Sequence, residues 1–107
     1  MSQMSAYDIY GANSSMATVQ SKIEVHLGIT MQERESSYFG VYCIWKSKNG
    51  ESIEIKNNLD PIDNSALMDE YSNYSILIFV NNTNQSKNIE NTLGDAGFIL
   101  LDHNSGS

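Results

Sequence analysis

Two periods run through the hydrophobic and polar positions of this chain. Met16, Val19, Ile23 and Leu27 recur at intervals of three, four and four, the spacing that lines one face of an α-helix. Asn13-Ser14-Ser15 offers capping side chains just before them, and Gly28 stands where a left-handed residue closes a helix. The pattern predicts a helix over 16–27. Ile89 and Leu93 predict a second, shorter one, preceded by the turn Asn81-Asn82-Thr83-Asn84 and stopped by Gly94. Elsewhere the period is two or the run is continuously apolar. Tyr7 to Tyr10, Ile29 to Ser37, Val41 to Lys46, Ser52 to Lys56, Ser75 to Val80 and Phe98 to Leu101 all read as strands. Ile53 and Ile55 share a face, Ser75 to Val80 suits a central strand, and Asn49-Gly50 suits a tight hairpin. Asn57 to Asn73, with the single proline Pro61, reads as a long connection holding one helical turn near Ala66-Leu67-Met68.

The order β-α-β-β-β-β-α-β implies one α+β domain over 1–107, with the tail 103–107 expected to be disordered. Right-handed crossovers would give a ferredoxin-like (split βαβ) sheet of five to six strands, mainly antiparallel, with two helices on one face. The other face would be partly open or covered by the long connection.

Charge narrows the partners. The net charge is −7, and the bases Lys22, Arg34, Lys46, Lys48, Lys56 and Lys87 are scattered singly, with no basic patch visible. Binding to nucleic acid or an anionic membrane is therefore not expected. Residues 1–56 carry six acids and five bases, whereas residues 57–107 carry seven acids and only Lys87. No run is long and apolar enough to span a bilayer, and the first residues lack the basic start and apolar stretch of a signal peptide, so a cytoplasmic location is expected.

Little in the sequence points to catalysis. The single cysteine, Cys43, lies mid-strand and reads as a buried hydrophobe. His26 near the end of the first helix and His103 in the tail have no companion ligands at metal spacing. No Gly-x-Ser-x-Gly elbow or phosphate loop is present. No catalytic, metal or cofactor residue is assigned. The remaining candidates are carboxylates. Glu33 and Glu35 share a strand face and, with Glu51 and Glu54, form a second acidic surface. Asp60, Asp63, Asp69 and Glu70 crowd the long connection beside Tyr71 and Tyr74. Acids steer a basic partner and tyrosines supply contact area.

Ser36-Ser37-Tyr38-Phe39-Gly40-Val41-Tyr42, then Ile53 to Asp60, then Ile76 to Thr83 resemble stretches of a family of short bacterial proteins. In size, acidity and layout the chain is similar to immunity proteins that neutralise polymorphic toxins, including those of contact-dependent growth inhibition. That resemblance implies a cognate toxin domain, commonly a basic nuclease, bound by protein–protein contact. Partner-binding candidates, chosen from charge and aromatic placement, are Asp60, Asp63, Asp69, Glu70, Tyr71, Tyr74, Glu33 and Glu35. The alternative is a regulatory or small-ligand-binding domain on the same scaffold, self-associating through a sheet face that includes Tyr42, Ile44 or Trp45.

Overall fold

Ser15 caps the first helix. Its backbone is extended (φ −68°, ψ 155°) and its hydroxyl accepts from the Thr18 N–H at 3.2 Å, which satisfies one of the donors a helix start leaves unpaired. At the other end Gly28 takes φ +67° and donates to the Glu24 carbonyl at 2.9 Å. Helix α1 therefore spans Met16–Leu27, with Val19 and Ile23 fully buried. The computed structural model describes residues 5–38, 40–48, 50–59, 65–83 and 85–106.

Among the described residues six strands and a second helix follow the same logic: β1 (Ser5–Ala12), β2 (Gln32–Ser36), β3 (Gly40–Lys46), β4 (Ser52–Asn57), β5 (Ile76–Thr83), α2 (Ser86–Asp95) and β6 (Ile99–Gly106). They form one antiparallel sheet in the order β2-β3-β4-β5-β1-β6. The α+β class and the antiparallel sheet agree with the reading of the sequence. The strand order puts β2 and β3 outside β4, so the sheet is wider than a bare four-stranded split βαβ unit. Gly50, at φ +93°, turns β3 into β4.

Period-two patterning explains which side is covered. Tyr10, Ala12, Cys43, Ile53, Ile55, Ile76, Ile78 and Val80 pack in one cluster with Val19 and Ile23 of α1 and Ile89 and Leu93 of α2. The helices also touch, where the Lys22 ammonium donates to the Ala96 carbonyl at 3.4 Å. On the opposite face Leu77 is completely buried, while Ile9, Tyr42, Ile44 and Phe79 are partly exposed.

Four local expectations are corrected. Gly94 lies inside α2, which ends one residue later at Asp95, and Gly97, at φ +94°, makes the left-handed exit. The helical turn of the long connection is a 3-10 turn at Asp69–Tyr71, one step beyond Ala66-Leu67-Met68, because Asn58 bonds the backbone at Met68 and Tyr71. β2 begins at Gln32, not Ile29, since the Glu24 carboxylate takes the Met31 N–H at 2.8 Å and delays the strand. The segment expected to fray pairs with β1 as far as Ser5↔Gly106, anchored by the contact between His103 and Asp8.

Candidate functional site

The acidic connection is held from below by one side chain. Asn58 is buried where β4 ends. Its amide nitrogen donates to the carbonyls of Tyr71 at 2.8 Å, Tyr74 at 3.0 Å and, more weakly, Met68 at 3.5 Å. Its oxygen accepts from the Met68 N–H at 2.8 Å, and its backbone N–H donates to the Ser75 carbonyl at 2.8 Å. A buried amide satisfied in this way closes both ends of a loop on one point. The 3-10 turn between those bonds points Asp69 and Glu70 into solvent.

Tyr74 fastens the loop to the sheet. A Cβ on Gly11 would lie 2.7 Å from Tyr74 Cδ1 and 2.9 Å from Leu101 Cδ1, so the absence of a side chain at Gly11 lets the ring settle on β1. Gly11 neighbours Tyr10 in the strand, so the ring sits on the face away from the helices. Tyr71 is half-buried beside it. Lost solvent, then the charges of Glu70 and Asp102, push its hydroxyl above the usual tyrosine range.

Glu33 and Glu35 are exposed on the edge strand β2, opposite Cys43 and Val41, and so belong to the helix-covered side. The structure therefore does not bring them together with Asp69, Glu70, Tyr71 and Tyr74, which gather on the other face near β1 and β6. Asp60 and Asp63 lie outside the described residues. Burial, then Glu33 and Glu24, push the Cys43 thiol up, and the thiol donates to Gln20 Oε1 at 3.3 Å, as suits a core residue. His26 is exposed in the last turn of α1, its Nδ1 2.8 Å from the Lys22 carbonyl oxygen.

One grouping is assembled only by the fold. Asp8 of β1 is 1% exposed and lies against the start of α2. The Ser86 hydroxyl donates to its Oδ2 at 2.6 Å, and His103 Nδ1 lies 2.5 Å from its Oδ1. Ser86 Oγ is also 3.4 Å from the same Nδ1. A Ser–His–Asp relay needs the two ring nitrogens to take different partners. Here Nδ1 faces both neighbours and the hydroxyl proton goes to the carboxylate, so the trio satisfies a buried charge and does not align a base on a nucleophile. Beside it Thr83 donates to Glu51 Oε2 and accepts the Gln85 N–H at 3.0 Å. The signal in the sequence was Asp8 itself, an acid on the same strand face as Tyr10 and Ala12.

Two hollows remain. A gap of about 250 Å³ separates the end of α1 from the start of α2, lined by Leu27, Ile29, Trp45, Ile53 and Ile89 with Glu51 and Gln85. A cleft of about 310 Å³ on the open sheet face is lined by Gln32, Arg34, Tyr42, Ile44 and Lys46, with Thr30 and Trp45. The cleft corrects the picture of scattered bases, because folding puts Arg34 and Lys46 on one surface. Among the described residues no cluster of three His, Cys, Asp or Glu side chains could hold a metal ion, and no helix is long and apolar enough to cross a membrane. A scan against protein-family models gives no match, and neither does a search of the curated proteins.

Proposed function

We propose that this chain is a binding module that neutralises a basic protein partner in the manner of an immunity protein, with the Asp69–Tyr71 turn as its principal contact. The observation that carries the reading is the Asn58 clamp: its side chain spans Met68 to Tyr74, so Asp69 and Glu70 are presented on a turn held in place before any partner arrives. A preordered contact loses less conformational freedom on binding. The seven acids against one base in residues 57–107 add long-range attraction for a cationic surface. The scaffold behind the turn we read as a ferredoxin-like framework, β6-β1-β5-β4, lengthened at one edge by β3 and β2. A toxin domain with a basic, nuclease-type active site is the partner this charge suits best.

The test is affinity capture from the source cells, followed by association kinetics with the purified partner. A single basic protein whose association slows about tenfold with Asp69→Lys plus Glu70→Lys, and loses most of its salt dependence, would support the proposal. Capture of no basic protein, or association indifferent to both reversals, would overturn it.

A further inference from the structure

The open sheet face is sorted by charge from edge to edge. One row of paired residues crosses all six strands: Gln32, Ile44, Glu54, Phe79, Ile9 and Asp102. At the β2 edge Arg34 and Lys46 flank this row within the cleft. In the middle Glu54 and Lys56 neutralise each other at 3.1 Å, and the Lys56 ammonium lies 4.9 Å from the Phe79 ring centre. At the β6 edge stands Asp102, next to Leu101, which shares the space above Gly11 with Tyr74 at the foot of the turn carrying Asp69 and Glu70. A −7 protein thus keeps a basic edge, an electrically neutral centre and an acidic edge on one face of the sheet.

We infer that this face closes on a second copy of the chain, about a two-fold axis running parallel to the strands between the two sheets. Such an axis lays β2 of one copy over β6 of the other and β3 over β1. Gln32 then meets the second copy's Asp102, which falls between Arg34 and Lys46, while Ile44 meets Ile9. The raised turn stands beside Arg34 of the opposite copy. Every charged edge finds its complement twice, and the partly exposed Ile9, Tyr42, Ile44 and Phe79 are covered. The alternative two-fold, across the strands, would set the edge carrying Arg34 and Lys46 against the same edge of the other copy and is disfavoured. Six strands at ~4.8 Å spacing and about 20 Å of paired length offer roughly 500 Å² per copy, near the lower limit for a specific interface, so affinity in the micromolar range is expected. This inference goes beyond the proposed function, and it makes the dimer a form in which the Asp69–Tyr71 turn is masked until a basic partner displaces the second copy.

Sedimentation equilibrium of the purified chain alone tests it, independently of any toxin. At about 100 µM and low salt, well above a micromolar Kd, the wild type should weigh twice 11.9 kDa. Arg34→Glu plus Lys46→Glu should weigh 11.9 kDa, as should Glu70→Lys plus Asp102→Lys. Mixed in equal amounts, the two variants should return to the dimer mass, because the reversed edges again face opposite charges. Circular dichroism of each variant checks that it is folded. A monomeric wild type, dimers that persist in both variants, or folded variants that fail to associate when mixed would each overturn the inference.

Discussion

Asn58 and Met68 bond each other in both directions. The Asn58 side-chain oxygen accepts from the Met68 N–H at 2.8 Å, and its amide nitrogen approaches the Met68 carbonyl at 3.5 Å. Ten positions of chain are closed into a loop by that one contact, and the same amide nitrogen goes on to Tyr71 and Tyr74.

Asn58→Ala should therefore cost more than an ordinary polar truncation. It removes the donors of three carbonyls and the acceptor of one N–H in a buried place, for a loss of about 2–4 kcal/mol in urea unfolding. Asn58→Asp keeps the acceptor but sets a carboxylate against carbonyl oxygens, so it should be no better than alanine. Amide exchange at Met68 and Tyr71 should accelerate in both variants. Unchanged exchange would show that the turn is held by something other than Asn58.

Gly11 is required by contact and not by backbone angle. Alanine there would press on the Tyr74 ring and on Leu101, with a cost of about 1–3 kcal/mol. In a Tyr74→Ala background the same substitution should cost clearly less. Additive losses in this double-mutant cycle would mean that the two positions do not share the strain.

The buried carboxylate of Asp8 depends on Ser86 and His103. His103→Ala removes a partner and leaves the charge to Ser86, for an expected loss of about 1–3 kcal/mol. Because His103 also pins β6 to β1 at Asp8, amide protection from Asp102 to Asn104 should fall with it. Asp8→Asn, which removes the charge and keeps the shape, should lessen the effect of His103→Ala.

Alkaline pH should weaken the fold. The Cys43 thiol is pushed up by burial, then by Glu33 and Glu24, and the Tyr10 phenol by burial, then by Asp8 and Glu90. Among the described residues the Tyr10 hydroxyl has no hydrogen-bond partner. Both groups stay protonated when folded at a pH where they ionise unfolded. Their favourable contribution is thus complete below the unfolded values, about 8.5 for the thiol and 10 for the phenol, and is lost as pH rises toward the folded ones. Urea midpoints should fall above about pH 9. Spectrophotometric titration should leave the Tyr10 phenol protonated until the chain unfolds. Native Cys43 should react with a thiol reagent at least ~100-fold more slowly than the unfolded chain.

How much of this could be read along the chain follows from the range of the forces involved. Helix α1, its Ser15 cap and its Gly28 exit were legible, because spacing and capping act within one or two turns. The strands from β1 to β6 could be placed for the same reason, and Ile53 and Ile55 could be assigned to the core from alternation alone. Gly94 misled as a stop because glycine is also tolerated inside a short helix, and the residue that turned the chain was Gly97.

The site was much less legible. Asp69, Glu70, Tyr71 and Tyr74 could be named from composition, yet nothing local showed that Asn58 would hold them or that Gly11 would receive Tyr74. Glu33 and Glu35 could be named as a separate acidic surface, but only the pairing of β2 with β3 showed that they lie on the helix-covered side. Asp8 is separated from Ser86 and His103 by most of the chain, and only the pairing of β1 with β6 and the packing of α2 bring the three together. Arg34 and Lys46 became neighbours through the register of β2 on β3. Short-range spacing and capping settle which segments become helices and strands. Which side chains meet depends on strand order and register, since a shift of one residue turns every side chain to the other face.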